Sequence, residues 1–258
     1  MILNVVGTQK DTSRMAVELA EAHDFLYASI GTHPIHLHST HVDEEETSFQ
    51  SREEDFDEPF YDALAQSPKV IGVGECGLDL YHVPSDLSQE EVLEKQKMVF
   101  LKHIHFAHKH NLPLVIHCRE AHDQMIELLK TLPFSVRGTV HCFTSNLKHA
   151  EEYLKLGLYL GFTGVLTFPP KKSHPEIQND LVSVARTMPF DRMLLETDSP
   201  YLAPAAYRGK RAEPWMMEEQ IKFIAKLRGM SIEQVEQGIQ ENSLRLFDKI
   251  KKQETNNT

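Results

Sequence analysis

Short β-branched segments alternate with amphipathic helical patterns along most of the chain, and this alternation restricts the fold more than any other feature. Seven strands are predicted, at residues 2–6, 26–30, 70–73, 114–116, 138–141, 158–161 and 193–195. The helical segments between them supply the long crossover connections that parallel strands require. Such regular repetition predicts an α/β fold, as a TIM-type barrel or a doubly wound sheet.

The predicted helices fill the intervals between the strands. They cover residues 12–22, 89–110, 120–130, 146–155 and 176–186, and two closing helices are predicted at 214–228 and 231–250. Ser231 and Gln234 form a capping-box pattern at the start of the last helix. The acid-rich run 43–58 is predicted as a solvated loop leading into a helix.

The length and the apolar content predict a single domain. The chain has 258 residues, of which 41% are hydrophobic, and this is a usual size for one α/β barrel. We expect one barrel domain over residues 1–250 and a polar, frayed tail over 251–258.

The charge balance limits the kind of nucleic acid that the chain could hold. With 27 Lys and Arg against 38 Asp and Glu, the net charge is −11, which argues against a broad basic face for long duplexes. An enzyme that takes in one strand end stays possible, since local basic residues and bound cations can dominate a pocket. Three cysteines without a C-x-x-C spacing, and no long apolar stretch or export signal, predict a soluble cytoplasmic protein with no membrane partner.

Four residues with metal-ligand chemistry stand at or just past the ends of separate predicted strands: Glu75, His117, His141 and Asp198. The carboxyl ends of parallel strands converge on one face of a barrel, where barrel enzymes keep their active sites. A single residue of this kind is usually structural, but four in equivalent positions predict a metal site.

The chemistry of this set predicts a hydrolase. Two imidazoles and a carboxylate suit a borderline cation such as Zn²⁺ or Mn²⁺, which lowers the pKa of water and polarises a substrate oxygen. Asp198 would orient or deprotonate that water. Cys76, Cys118 and Cys142 each follow a candidate ligand, and the alternation of side chains along a strand predicts that they are buried and inert.

Longer motifs resemble the successive signatures of the TatD family of metal-dependent hydrolases. The motifs are GTHP at 31–34, GVGECGLD at 72–79, PLVIHCREA at 113–121, HCF at 141–143, LETDSPYL at 195–202 and RGKR at 208–211. They occur in the family's order over residues 3–247. The resemblance implies a TIM-barrel phosphodiesterase that acts on DNA with Mg²⁺, Mn²⁺ or Zn²⁺, as one or two ions.

The same resemblance implies roles for the four strand-end residues. Glu75 is similar to the family's bridging carboxylate, His117 and His141 to the imidazole ligands of one metal, and Asp198 to the last-strand ligand and water activator. Members of the family begin with a strand that ends in a His-x-His pair, whereas this sequence opens on what resembles their second strand. We therefore expect an incomplete barrel with seven strands and one surviving cation site.

Three further residues are candidates for substrate binding. Arg208 and Arg119 could each bind a phosphate through paired guanidinium donors, and the alternative is an ion pair with Glu213 or Glu120. Phosphate binding is favoured for Arg208, and neither alternative is favoured for Arg119. His33, in the GTHP turn, is a candidate for substrate contact.

The remaining histidines are weaker candidates. His36 and His38 mimic the family's His-x-His pair, but they follow a turn rather than a first strand, so a ligand role is not expected. Four histidines of the helix at 89–110 are predicted on a solvated face, namely His103, His105, His108 and His110.

The function predicted from these features is metal-dependent hydrolysis of phosphodiester bonds in DNA, from strand ends and on single-stranded or short substrates. One alternative is an ester or amide hydrolase, such as an aminoacyl-tRNA deacylase. Another is a catalytically impaired protein that lacks the first strand, which could also lie upstream of the sequence given.

Overall fold

The computed structural model describes residues 2–39, 41–44 and 47–250, so the predicted tail at 251–258 lies outside the described residues. The chain divides into two compact units. The first consists of Met1–Gly138 with Phe247–Thr258, and the second of Thr139–Leu246. The expectation of a single barrel domain stays a prediction.

The first unit combines parallel strands with covering helices. Its elements are, in chain order, β1 (Leu3–Val6), α1 (Lys10–Ala22), β2 (Leu26–Ile30), β3 (His41–Glu44), β4 (Thr47–Gln50), α2 (Glu58–Ala65), β5 (Val70–Asp79), α3 (Gln89–His110), β6 (Leu114–Arg119) and α4 (His122–Lys130). Strands β1, β2, β5 and β6 pair in this order, all parallel. Strands β3 and β4 form a separate antiparallel pair.

The second unit continues the βα alternation. Its elements are β7 (Gly138–Val140), α5 (Leu147–Lys155), β8 (Tyr159–Phe162), α6 (Pro175–Thr187), β9 (Met193–Leu195), α7 (Met217–Arg228) and α8 (Ile232–Leu246). Strands β7, β8 and β9 pair in this order, again in parallel. A capping box between Ser231 and Gln234 precedes α8, as the sequence predicts.

The seven predicted parallel strands are therefore all present in the described residues. Two local predictions need correction. Part of the acid-rich run that was predicted as a solvated loop pairs as β3 and β4, although the helix expected after it is confirmed as α2. The last helix ends at Leu246, four residues before its predicted end.

Strand β5 shows how the first unit places side chains at its carboxyl end. Nearly every residue of this strand is buried, as expected for a parallel strand that is covered on both faces. Its pairing with β6 shifts in register between Val73 and Cys76, and such irregularities re-aim side chains. Gly77 has φ +151°, and a Cβ there would lie 2.0 Å from the backbone oxygen of His117. Only glycine allows the two strands this close approach.

Within the described residues, no helix combines the length and the apolar character that a membrane span needs.

Candidate metal centre

Glu75 and His117 lie side by side at the carboxyl ends of β5 and β6. The Oε1 atom of Glu75 is 2.9 Å from Nδ1 of His117 and 3.6 Å from Nε2 of His33. One ligand atom from each of these residues lies within 4.8 Å of the others, which makes them the one group with metal-binding spacing in the described part of the chain. Their side chains are between 11% and 17% exposed, so a small ligand can reach them.

The hydrogen bonding of His33 indicates a role different from that of a metal ligand. Nδ1 of His33 accepts the backbone N–H of Ile35 at 3.1 Å, so in the neutral ring the hydrogen is carried by Nε2. Burial lowers the pKa of His33, which favours this neutral form. His33 therefore presents an N–H donor toward Glu75, and this suits contact with a substrate oxygen better than ligation of a cation.

His117 is held between two carboxylates, one at each ring nitrogen. Its Nδ1 faces Glu75, and its Nε2 lies 3.0 Å from Oδ2 of Asp79. Burial opposes protonation of this ring, but hydrogen bonds to Asp79 and Glu75 outweigh it and raise the pKa of His117 to about 9. A cation at Nδ1 would displace the proton there and leave Nε2–H bonded to Asp79. This is the usual outer arrangement of a metal-ligating histidine.

Asp79 is fixed from several sides. It is 1% exposed, and its Oδ1 accepts the backbone N–H groups of Tyr81 and His82 at 2.9 Å. Gln96 bonds both the backbone N–H and the backbone oxygen of Asp79. Burial raises the pKa of this carboxyl, but hydrogen bonds from His117 and His82 outweigh burial and hold it well below its usual range. Asp79 is thus an ionised acceptor that sets the orientation of His117.

A similar clamp occurs in the second unit. Nδ1 of His141 lies 2.7 Å from Oε2 of Glu196, and its Nε2 lies 3.3 Å from Oδ1 of Asp198. Glu196 also accepts the backbone N–H of Cys142. Gly161 makes room for this carboxylate, since a Cβ there would lie 2.2 Å from Oε1 of Glu196. With Glu196 holding Nδ1, the Nε2 atom of His141 is left to face Asp198.

The structure thus brings the four predicted ligands together in two pairs, Glu75 with His117 and His141 with Asp198. Their convergence on a single centre stays a prediction. Sequence reasoning missed the two orienting carboxylates, Asp79 and Glu196. A signal exists for Asp79, because it follows Glu75 by four residues and residues at even spacing share one face of a strand. The same argument does not reach Glu196, because it lies past β9 and the backbone at Asp198 is not extended, with φ +57°.

The two candidate arginines each stack on an aromatic ring. The guanidinium of Arg119 lies 3.6 Å from the ring centre of Tyr81, and that of Arg208 lies 4.4 Å from the ring centre of Phe168. Stacking of this kind holds a guanidinium in place and leaves its edge able to form hydrogen bonds. A phosphate-binding role for either arginine stays a prediction.

Two of the four histidine predictions for α3 are wrong. The side chain of His110 is only 16% exposed, and its Nε2 lies 2.6 Å from Oδ1 of Asp62. His103 is fully buried rather than solvated, because its Nε2 accepts the backbone N–H of Thr32 and its Nδ1 donates to the backbone oxygen of Val99. Burial lowers the pKa of His103 to about 4. His105 and His108 are exposed, as expected.

His36 and His38 stay outside the ligand group that the described residues form. Burial lowers the pKa of His36 to about 4 and also lowers that of His38. The expectation that neither is a ligand stays a prediction, and their side chains are more enclosed than those of a solvated turn.

Cys76 and Cys118 are buried thiols, as predicted, whereas Cys142 is only partly buried. Cys76 is 0% and Cys118 6% exposed, and burial raises the pKa of Cys76 well above its ordinary value. Burial likewise raises the pKa of Cys142 to about 12, and its Sγ lies 3.2 Å from the hydroxyl of Thr163. A thiol with so high a pKa is a poor nucleophile at neutral pH.

The donor atoms fit a divalent cation. A carboxylate oxygen and an imidazole nitrogen lie 2.9 Å apart at Glu75 and His117, and a buried carboxylate fixes the opposite ring nitrogen. Nitrogen and oxygen donors of this kind suit Zn²⁺ or Mn²⁺. Such an arrangement can hold a Lewis acid, with the N–H of His33 beside it as a donor.

Comparison with known proteins agrees with this chemistry. The family model described as TatD related DNase matches residues 1–248. The chain is 36% identical over 244 residues to an uncharacterized metal-dependent hydrolase, YabD, of Bacillus subtilis strain 168, with 94% of this chain and 86% of that protein covered. It is 32% identical over 250 residues to the 3'-5' ssDNA/RNA exonuclease TatD of Erwinia tasmaniensis, with 95% of this chain and 87% of that protein covered.

Among solved structures, the chain is similar to YJJV, a TatD homologue from Escherichia coli K12. The TM-score is 0.76 at 26% identity, and the superposition covers 96% of this chain and 86% of that chain. Together with the seven parallel strands, this likeness confirms the predicted α/β fold of the TIM-barrel type.

Proposed function

The chain belongs to the family of TatD-related DNases, and on this premise we propose that it hydrolyses phosphodiester bonds in DNA, from the ends of single strands. The observation that carries the proposal is the ring of His117, which turns Nδ1 toward Glu75 while Asp79 holds Nε2. The exonuclease name of the Erwinia tasmaniensis relative supports a nucleic-acid substrate and adds RNA as a second candidate.

A divalent cation, when bound, lowers the pKa of water and provides a positive charge beside the phosphoryl oxygens. Glu75 and His117 would hold it, with the carboxylate oxygen and Nδ1 as the donor atoms. Asp79 keeps the hydrogen of His117 on Nε2, so that Nδ1 offers its lone pair.

His33 has a separate task in this proposal. Its Nε2–H is directed toward the oxygen side of Glu75, at 3.6 Å, and can donate to a phosphoryl oxygen that enters the cluster. A donor placed in advance stabilises charge that develops on that oxygen. Because Nδ1 is engaged by Ile35, the ring cannot turn away without losing a hydrogen bond.

Asp198 is suited to accept a proton from water. Its side chain is 32% exposed, so water reaches it, and Oδ1 lies 3.3 Å from Nε2 of His141. Glu196 holds the opposite nitrogen of that ring at 2.7 Å. Asp198 can thus accept a proton at one oxygen, beside the ring of His141 that Glu196 holds in place.

The test is release of nucleotides from single-stranded DNA labelled at either end, with Mg²⁺, Mn²⁺ or Zn²⁺ added to the purified chain. We expect metal-dependent release that Glu75→Ala and His117→Ala both abolish. His108→Ala is the matched control, because His108 is exposed on α3 and should leave the rate unchanged. A folded, metal-loaded chain that releases nothing from DNA or RNA would refute the proposal.

Metal content tests the predicted ligands separately from activity. We propose that Glu75 and His117 bind one ion, and that His141 and Asp198 contribute to metal binding in the second unit. Metal per chain is measured for Glu75→Gln and for Asp198→Asn. Loss of all metal in both variants indicates one shared ion, whereas loss of one ion in each indicates two; unchanged content in both would contradict the ligand set.

A further inference from the structure

The segment that follows Asp198 carries an unusual concentration of positive charge and exposed aromatic surface. Within nine residues it contains Tyr207, Arg208, Lys210, Arg211 and Trp215, which we call the basic–aromatic strip. The three cations are exposed, and the Trp215 side chain is 42% exposed. In a chain whose net charge is −11, this local excess of cations calls for an explanation.

The aromatic and basic groups of the strip are in mutual contact. The rings of Tyr207 and Trp215 lie 5.1 Å apart and nearly perpendicular, at 79°. Nζ of Lys210 lies 5.7 Å from the ring centre of Tyr207. On the other side, the guanidinium of Arg208 lies 4.4 Å from the ring centre of Phe168. Cationic and aromatic side chains of the strip thus lie next to one another.

The basic–aromatic strip is fixed by packing on buried residues and by a backbone hydrogen bond. Tyr207 packs against a small buried cluster of Ala203, Ala212 and Met216. The backbone N–H of Ala212 donates to the oxygen of Pro200 at 2.9 Å, which ties the strip to the chain two residues after Asp198. The strip is therefore held in a defined conformation close to the segment that carries a candidate catalytic carboxylate.

The indole of Trp215 is also oriented. Its Nε1–H donates to Oε2 of Glu213 at 2.7 Å, and the edge-on contact with Tyr207 supports the ring from a second direction. Glu213 is the acid within the strip, and this hydrogen bond engages it. At 42% exposure, Trp215 contributes little to packing, because a tryptophan that served the core would be mostly covered. A binding role accounts better for its exposure.

We propose that the basic–aromatic strip binds single-stranded nucleic acid, with Trp215 stacking on a base and the cations of Arg208, Lys210 and Arg211 contacting phosphates. Stacking platforms combined with cationic grooves are how proteins hold single strands without reading their sequence. The proposal rests on the nuclease function proposed above, since it names where the substrate strand is held. It also explains how an acidic chain can bind a polyanion.

The chain contains one tryptophan, so its intrinsic fluorescence reports on the strip alone. The metal-loaded protein is titrated with a phosphorothioate oligothymidylate of about 12 nucleotides, a length within the usual site size for single strands. The phosphorothioate linkage resists cleavage. We expect saturable quenching of Trp215, because a stacked base quenches indole emission.

Variants separate stacking from charge. Trp215→Ala should weaken binding of a fluorescently labelled oligonucleotide by about 5- to 150-fold, the equivalent of one lost stacking contact. Lys210→Gln should weaken binding and reduce the dependence of log Kd on log salt by about 0.7. Lys155→Gln is the matched control, since Lys155 is an exposed lysine of α5 that pairs with Glu152 outside the strip; both values should stay unchanged.

Failure of the strip and failure of the nuclease are distinguishable. Cleavage of DNA together with unchanged tryptophan emission at a saturating oligonucleotide concentration would overturn the strip proposal and leave the enzyme. Quenching without cleavage would support the strip and reject the nuclease. Heparin is the polyanion probe without bases, and quenching by heparin equal to that by the oligonucleotide would overturn the stacking role of Trp215.

Discussion

Substitution of Asp79 by asparagine should weaken metal binding through the tautomer of His117. Asparagine keeps the volume and one oxygen, which can continue to accept the backbone N–H groups of Tyr81 and His82. The amide nitrogen then replaces the oxygen that faces Nε2 of His117 at 3.0 Å. A donor at this place selects the ring form with the hydrogen on Nδ1. Nδ1 faces Glu75, so the nitrogen meant for the cation loses its lone pair.

The loss of metal affinity in Asp79→Asn depends on pH, because the substitution has two opposing effects on metal binding. Loss of an outer partner of a metal-ligating histidine costs about 10- to 100-fold in affinity, or about 1.4–2.7 kcal/mol. In the wild type, however, a cation must displace a proton from a ring whose pKa is raised to about 9. At pH 7 that competition costs about 2.7 kcal/mol, at about 1.4 kcal/mol for each pKa unit. Asp79→Asn relieves this competition, so its defect should be small near pH 7 and reach its full size near pH 9.

The assay is Zn²⁺ affinity in competition with a coloured chelator between about pH 6.5 and pH 8.5, below the pKa of His117, where a bound cation must displace a proton from the ring. Wild-type affinity should rise by nearly tenfold per pH unit, and that of Asp79→Asn should rise less. Asp24→Asn is the control, since Asp24 is exposed and its change removes the same charge elsewhere. Equal affinities and equal pH slopes for wild type and Asp79→Asn, in chains with matching circular dichroism, would refute the tautomer argument.

Three further predictions concern stability and reactivity. The folded-state pKa of His103 is about 4, below its unfolded value near 6.5, so the unfolded chain binds more protons between these two pH values. The free energy of unfolding should therefore fall by up to about 3.4 kcal/mol as pH drops from 6.5 to 4. In His103→Gln, the free energy of unfolding measured with urea should depend less steeply on pH. Gly77→Ala should cost more than about 3 kcal/mol, because its Cβ would meet the oxygen of His117 at 2.0 Å, whereas Gly157→Ala, with open space around it, should cost about 1–2 kcal/mol by thermal unfolding. Cys76 and Cys118 should react with a thiol reagent far more slowly in the native chain than after denaturation, since both are buried; fast native labelling without loss of structure would contradict their placement.

The ends of strands explain both what the sequence predicts and what it misses. Each predicted ligand follows a short apolar run, and that local pattern is enough to place Glu75 and His117. The apolar run of β5 was predicted to end at residue 73, whereas the strand continues to Asp79. It does so because Cys76–Asp79 pair with residues 116–119 of β6, a partner about 40 residues away in the chain, and Cys76 and Leu78 are buried there. Asp79 was missed because the prediction stopped before reaching it.

Long-range contacts account for the other errors. His103 is buried because it bonds Thr32, which is 71 residues away, and helical periodicity carries no information about such a partner. Strand β3 includes Asp43 and Glu44, and acids are ordinarily depleted in strands, yet it pairs with β4. Tertiary context overrides local propensity in both cases.

His117 and His141 are each oriented by a carboxylate at one ring nitrogen, but at a different nitrogen in each. Asp79 holds Nε2 of His117 and leaves Nδ1 for the side of Glu75, whereas Glu196 holds Nδ1 of His141 and leaves Nε2 for the side of Asp198. In each pair, the carboxylate that sequence reasoning missed, Asp79 or Glu196, fixes the tautomer of the histidine. The predicted carboxylate, Glu75 or Asp198, faces the other ring nitrogen. A neutral imidazole has only one lone pair, so the choice of orienting carboxylate decides which atom can bind a cation. The local sequence specifies the ligand types, but the orienting carboxylate, Asp79 or Glu196, decides which nitrogen each histidine offers.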